Sequence, residues 1–180
     1  MKRGIASHET PNEGATNTWL TPRWIIEALG PFDLDPCAAT EEPARVATRY
    51  FTVKDNGLAQ DWGDAYVFCN PPYGPHTGPW LGRCAQHGHA IALVFARTDT
   101  GPLQTALRKC DAALFIAGRL TFDSPPGGQE SRGNAGAPSV LLAYGRRARQ
   151  RLADSDIPGS LMIALDRRVY ALPLLDEVRP

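Results

Sequence analysis

AYVFCNPPYGPH, residues 65–76, sets an apolar run directly against an amide, two prolines and a phenol. Tyr66-Val67-Phe68-Cys69 reads as a short buried strand, rich in β-branched and aromatic residues and bounded by turn formers. Asn70 then stands at the strand's carboxyl end. Pro71 and Pro72 lack N–H groups and cannot extend a ladder, so the strand stops there. Each proline also drives the residue before it out of the helical region, which makes the turn extended and stiff. Such a turn holds an amide and a ring on a rigid support, a suitable platform for a planar polar ligand.

The flanking chain predicts an α/β domain. FDLD, residues 32–35, is a short strand that ends in an acid and a proline. HAIALVFART from His89 is near-continuous in apolar residues, as suits a sheet covered on both faces. AALFIAGRLTF from Ala112 and SVLLAYG from Ser139 are two more strands. Helices are expected from Thr21, which can cap with Pro22 at the first helical position and Gly30-Pro31 at the end, from about Gly78 to His87, and over GPLQTALRKC. Residues 40–64 read as polar and irregular, with Asp55-Asn56-Gly57-Leu58 as a turn. Strands alternating with short helices argue for a mostly parallel, doubly wound sheet. In such sheets ligands lie beyond the carboxyl ends of the strands. Asp33–Ala39 and Asn70–Tyr73 both follow strand ends, so they are expected to form two walls of one crevice.

Residues 1–17 lack periodicity and read as a flexible arm. Residues 18–180 form one domain, with a flexible loop at 123–138 and a C-terminal hairpin at 160–175 turning at Asp166-Arg167-Arg168. The 180 residues suit a single core, and 43% apolar composition is ordinary for a globular protein. Nineteen basic and nineteen acidic side chains cancel, so a nucleic-acid partner would have to be held by a local patch. Cys37, Cys69, Cys84 and Cys110 form no C-x-x-C pair. They are expected to be reduced thiols of a cytoplasmic protein without metal. No apolar run approaches the length of a membrane span.

Three motifs follow in order: Thr21-Pro22, DLDPCAA at Asp33–Ala39, and NPPY at Asn70–Tyr73. With W.TP, DNGL..DW, ARTDT, IAGRLTF and PSVLLAYG they cover residues 19 to about 145, and the chain resembles the small phage-type DNA adenine methyltransferases of the Dam-like family. The resemblance implies a Rossmann-like methyltransferase domain that uses S-adenosyl-L-methionine, in the cytoplasm of a bacterial host cell. It implies that Thr21 and Pro22 help hold the methionine end of that cofactor and that Asp35, Pro36, Cys37 and Ala38, in the loop after the first strand, contact the same cofactor. It places Asp55 near the cofactor's adenine ring and makes Asn70, Pro71, Pro72 and Tyr73 the catalytic motif. One departure is plain: DPCAAT stands where related methyltransferases carry a glycine-rich loop, and no ribose-binding acid can be picked out beyond Glu41 and Glu42.

The chemistry makes sense of those residues. An exocyclic amine has its lone pair conjugated into the ring and is a poor nucleophile. Two acceptors on its N–H groups, the Asn70 side-chain oxygen and the Pro71 carbonyl, would draw the nitrogen toward a tetrahedral shape. Tyr73 offers a face for an extruded base. Adenine in RNA, the amine of cytosine, a protein glutamine, or a non-catalytic binding subunit remain open from the motif alone. The resemblance favours adenine flipped from double-stranded DNA. A basic surface is then needed, and the chain offers Arg119, Arg132, Arg146, Arg147, Arg149 and Arg151, the run from Arg146 reading equally as a solvated helix face, with loop 123–138 expected as the reader.

Overall fold

The computed structural model describes residues 20–40, 46–122 and 135–164. The proposed arm, Trp19, Glu41, Glu42, Arg132, most of loop 123–138 and the turn of the 160–175 hairpin lie outside the described residues. Among the described residues, seven strands and four helices follow in the order α1 (Arg23–Leu29), β1 (Phe32–Asp35), β2 (Ala47–Tyr50), β3 (Val67–Cys69), α2 (Thr77–His87), β4 (Ala90–Phe95), α3 (Gly101–Lys109), β5 (Ala112–Ile116), β6 (Ser139–Tyr144), α4 (Arg146–Ala153) and β7 (Gly159–Ile163). One sheet holds all seven strands in the order β2-β1-β3-β4-β6-β5-β7.

The first half of this sheet is parallel, through β1–β2, β1–β3 and β3–β4. The second half is antiparallel: β6 runs down between β4 and β5, and β7 runs down along β5. The expectation of a mostly parallel sheet therefore holds for the core around β1, β3 and β4, and the fold is a mixed α/β sheet. SVLLAY in β6 is buried at every position, and a continuous apolar run reports burial on two faces, not strand direction.

Strand β4 shows the two layers. Ile91 and Leu93 pack with Ile25 and Leu29 of α1 and with Ala148 and Leu152 of α4. Ala90, Ala92 and Val94 pack with Leu81 and Cys84 of α2 and with Leu103 and Ala106 of α3. The alternation of side chains along an extended strand makes both layers possible at once.

Two local readings are corrected. Residues 47–50, expected to be irregular, form β2; only Ala47 is buried, because this is an edge strand whose outer positions carry Thr48, Arg49 and Tyr50. Half-exposed edge strands lack the apolar run that marks a central one. Helix α1 begins one residue later than expected, with Pro22 at the N-cap and no side-chain cap from Thr21. Thr21 is instead buried and turned toward the end of β3.

The DNGL turn braces the loop after β1. A Cβ on Gly57 would overlap the carbonyl oxygen of Pro36. Trp62, 1% exposed, donates from Nε1 to the Gly57 carbonyl (2.9 Å), and Arg83 lies over its ring. Ala38 N–H donates to the Phe51 carbonyl and Phe51 N–H to the Asp35 carbonyl, so the segment after β2 is laced to the same loop. Gly57→Ala is expected to destabilise the fold by roughly 1–3 kcal/mol, since the neighbour it meets is backbone. Urea unfolding would read this as a lower midpoint at unchanged slope.

Candidate active site

Strand β1 is flanked by β2 on one side and β3 on the other, so the chain reverses its direction of travel across the sheet at the β1–β3 boundary. A crevice is expected beyond the strand ends at such a point. A cavity of about 260 Å³ lies there, and its walls include Thr21, Asp35, Cys37, Asn70, Pro71, Pro72 and Tyr73. The loop after β1 and the turn after β3 therefore do form two walls of one site. Ala39 belongs to the first of these walls; Leu20, Thr40, Val46, Val53 and Phe68 complete the cavity and were not singled out as site residues from the sequence. Val46 and Val53 flank β2, so the reading that missed the strand also missed its cavity residues.

Asp35 is 5% exposed, and one of its oxygens accepts the Cys37 N–H at 3.0 Å. A buried carboxylate lining a cavity is a site for a cationic or hydrogen-donating ligand. Pro36 and Ala38 are buried behind it. Pro22 is buried at the start of α1.

Cys37 and Cys69 are free thiols with their sulfurs 3.7 Å apart. Burial pushes the Cys37 thiol up to about 11, against a smaller opposing effect from its Cys69 hydrogen bond, while the Asp35 carboxylate pushes it the same way as burial. Burial, then the neighbouring thiols, raises Cys69 as well. Both are neutral thiols at physiological pH; Cys37 lines the cavity, and Cys69 is buried at the end of β3.

Asn70 is held at both ends of its amide. Its Nδ2 donates to Thr21 Oγ1 (3.2 Å), and its Oδ1 accepts from the Tyr73 hydroxyl (3.2 Å). The Tyr73 ring stacks on Phe95 at a centroid distance of 4.0 Å and an interplanar angle of 7°, with Phe122 edge-on. Arg97 lies over the outer side of this group, 5.9 Å from the Phe95 centroid. Burial keeps the Tyr73 phenol well above its usual range, with a lesser effect from Cys37. The Pro72 carbonyl accepts the Thr77 hydroxyl at 2.9 Å, which ties the turn to the start of α2. Phe95 escaped the sequence reading because it is the last residue of an apolar strand, where a core role is the default.

The remaining expected residues are set apart from the cavity. Asp55 is fully exposed and satisfied within its own turn, where the Thr52 backbone N–H, then the Thr52 hydroxyl, hold its carboxyl below the usual range. It does not line the cavity. Arg119 follows β5 at the same sheet edge as Asn70 and donates to the Ala135 carbonyl. Arg146, Arg147, Arg149 and Arg151 are exposed on α4. Ala90, the first residue of β4, pairs with Tyr144, the last of β6, so α4 starts at the edge opposite Asn70. There Arg147 lies 4.2 Å from the centroid of the Tyr66 ring. A strand's length, about 13 Å, separates that edge from the cavity.

The raised thiol has a consequence for stability. In the unfolded chain the Cys37 thiol has its ordinary value of 9.0, and in the fold burial moves it to about 11. Folding therefore favours the protonated thiol. This contribution is complete below pH 9 and is lost as pH rises through 11. The melting temperature should fall over that window, and Cys37→Ala should flatten part of the fall while leaving the curve below pH 8 parallel to the parent's.

Comparison with known proteins agrees with this geometry. A family model described as DNA N-6-adenine-methyltransferase (Dam) matches residues 8–155, a span that contains both walls of the cavity. The Escherichia coli (strain K12) protein named "Putative methyltransferase YfdM" is 35% identical over 88 residues, covering 43% of this chain and 87% of that protein. No solved structure matches the chain. With a family match across most of its length and the family's two sequence walls meeting at one cavity, the chain belongs to the DNA N-6-adenine-methyltransferase (Dam) family.

Proposed function

We propose that the chain is an S-adenosyl-L-methionine-dependent methyltransferase acting on the exocyclic amine of adenine, flipped out of double-stranded DNA, and built on a doubly wound, Rossmann-like domain. The observation that carries the reading is the single cavity joining the Asp35 loop of β1 to the Asn70–Tyr73 turn of β3. Its donor set suits the cofactor: a buried carboxylate at Asp35 for a cationic group, and Val46, Val53 and Phe68 as apolar walls for a ring.

Thr21, Asp35 and Cys37 would hold the methionine end, with buried Pro22, Pro36 and Ala38 supporting them from outside the cavity lining. The Asp55 turn would act at one remove, through Gly57 against Pro36. When bound, the cofactor supplies a methyl group already activated by sulfonium charge. The protein's task is then alignment. Asn70 Oδ1 accepts one N–H of the amine and the Pro71 carbonyl the other, since the Pro72 carbonyl is engaged by Thr77. The Tyr73 hydroxyl gives up Asn70 Oδ1 as the base arrives, and the ring, backed by Phe95, stacks on the base. Neutral Cys37 keeps its part of the cavity wall free of competing charge.

Transfer of labelled methyl from the cofactor should be assayed on duplex DNA, RNA and protein in parallel. Incorporation into adenine of DNA is expected, and incorporation only into RNA, cytosine or protein would replace the proposed substrate. No transfer with intact cofactor binding would favour a binding subunit. Two variants separate the walls. Asn70→Ala should lower turnover by about 10²-fold or more and leave cofactor affinity within a few-fold. Asp35→Ala should weaken cofactor binding by roughly tenfold or more. Equal effects of both substitutions on affinity would remove the division of labour.

For DNA, we place the path along the carboxyl edge of β1–β5, past Arg119. The α4 arginines, proposed from sequence as contacts, start at the far edge. Arg119→Ala should flatten the plot of log affinity against log salt by about 0.9. Arg146→Ala with Arg147→Ala should leave that slope unchanged; a drop approaching two units would route the duplex over α4 instead.

A further inference from the structure

We propose that Trp24 is a DNA contact, a ring at the rim of the cavity that stacks on a base bared when the adenine leaves the duplex. This rests on the reading of the chain as a DNA adenine methyltransferase and names a contact that its arginines do not supply. Among the described residues, the large apolar side chains left exposed fall in two places. Leu161, Met162 and Ile163 lie on the edge strand β7. Trp24, Tyr50 and Val53 lie at the carboxyl edge of the parallel strands: Val53 lines the cavity, and Tyr50 ends β2 opposite Asp35. Trp24 is the largest of them.

Its position follows from Thr21. The Thr21 hydroxyl lies 3.2 Å from Asn70 Nδ2, so α1 starts at the edge where β3 ends and runs away from it. Trp24 is three residues on, within about 11 Å of Thr21 at full extension of the chain. Side chains on a helix lean toward its N-terminus, which here is the cavity edge. Buried Ile25 fixes α1 in the layer against which Tyr73 and Phe95 also pack. Trp24 therefore stands at the end of the layer that holds the stacking ring, 44% exposed and outside the cavity lining.

Charge does not account for this face. Arg23 and Glu27, the exposed neighbours of Trp24, pair at 2.9 Å and cancel. What remains is a flat apolar ring at a rim that a duplex must approach before one of its bases can enter. A base inside an intact duplex has no free face, and extrusion of the adenine bares the faces of its two neighbours. The indole suits one of those faces, and such stacking is indifferent to sequence, since every base has a π-face.

A short duplex with one abasic site bares two base faces without any extrusion, and needs no knowledge of the sequence methylated. Trp24→Phe keeps a ring, and Trp24→Leu keeps apolar bulk without the π-face. The parent should bind the abasic duplex about tenfold more tightly than the matched one. Trp24→Phe should keep most of that preference and Trp24→Leu should lose it. The dependence of affinity on salt should be the same in all three proteins, because the ring neutralises no phosphate. Cofactor affinity should stay within about threefold, since Trp24 does not line the cavity. Melting temperatures should match, since Ile25 and Leu29 carry the buried side of α1. A parent without the preference, a preference kept in Trp24→Leu, or a flatter salt dependence in Trp24→Leu would overturn the proposal. Binding needs no turnover, so a parent that transfers no methyl group but shows the Trp24-dependent preference would sink the methyltransferase reading and leave the contact standing. A parent that methylates DNA, with Trp24→Leu equal to it in both rate and preference, would sink the contact alone.

Discussion

Parallel pairing of β1 with β3, with Leu34 opposite Val67, is the constraint on which the rest of the site depends. It brings the ends of two strands that are more than thirty residues apart to the same edge of the sheet. Because β2 pairs on the outer side of β1 and the chain then crosses back to β3, the loops leaving β1 and β3 diverge and leave a crevice between them. Everything with chemical potential in the molecule is then measured from that edge: Asp35 and the neutral Cys37 thiol at one lip, Asn70 and Tyr73 at the other.

The rigidity of the lips comes from close packing behind them, and little of it from charge. Gly57 lets the DNGL turn lie directly against the Pro36 carbonyl, and buried Trp62 holds Gly57 from the far side. The opposite lip is held by prolines and by a face-to-face aromatic pair, Tyr73 on Phe95. A site that must align three atoms gains more from such fixed walls than from any one strong contact, since misplacement of reacting groups by an ångström is costly.

Charge is arranged by edge. The chain is neutral overall, with nineteen cations and nineteen anions. Arg97 and Arg119 follow β4 and β5 at the cavity edge, whereas Arg146 and Arg147 open α4 at the other edge, with Arg147 against the Tyr66 ring. A run of arginines in the sequence thus marks a helix face, and whether that face can touch the same ligand as Asn70 depends on the direction of β6.

Much of this was legible in the order of residues. The β1 strand over FDLD, the arrest of β3 at Asn70 by two prolines, the helix over Thr77–His87 and the family motifs are all local: they depend on propensity, on missing N–H groups and on patterns a few residues long. The pairing of Asp35 and Asn70 walls also followed, through the rule for strand ends. Tertiary structure decided what no local pattern encodes. Strand direction for β6 and β7 is invisible to periodicity, so the antiparallel half of the sheet and the edge to which α4 belongs had to be seen. The edge strand β2 was hidden by its exposed Thr48, Arg49 and Tyr50, and with it the Val46 and Val53 wall. Thr21 looked like a helix cap because its neighbours in sequence are a helix start; its partner, Asn70, is a neighbour only in space. Sequence determines the stiffness and chemistry of each segment, since those arise from a residue and its covalent neighbours. Which amide meets which hydroxyl is set by how the sheet closes, because a hydrogen bond between residues 21 and 70 has no signature at either position alone.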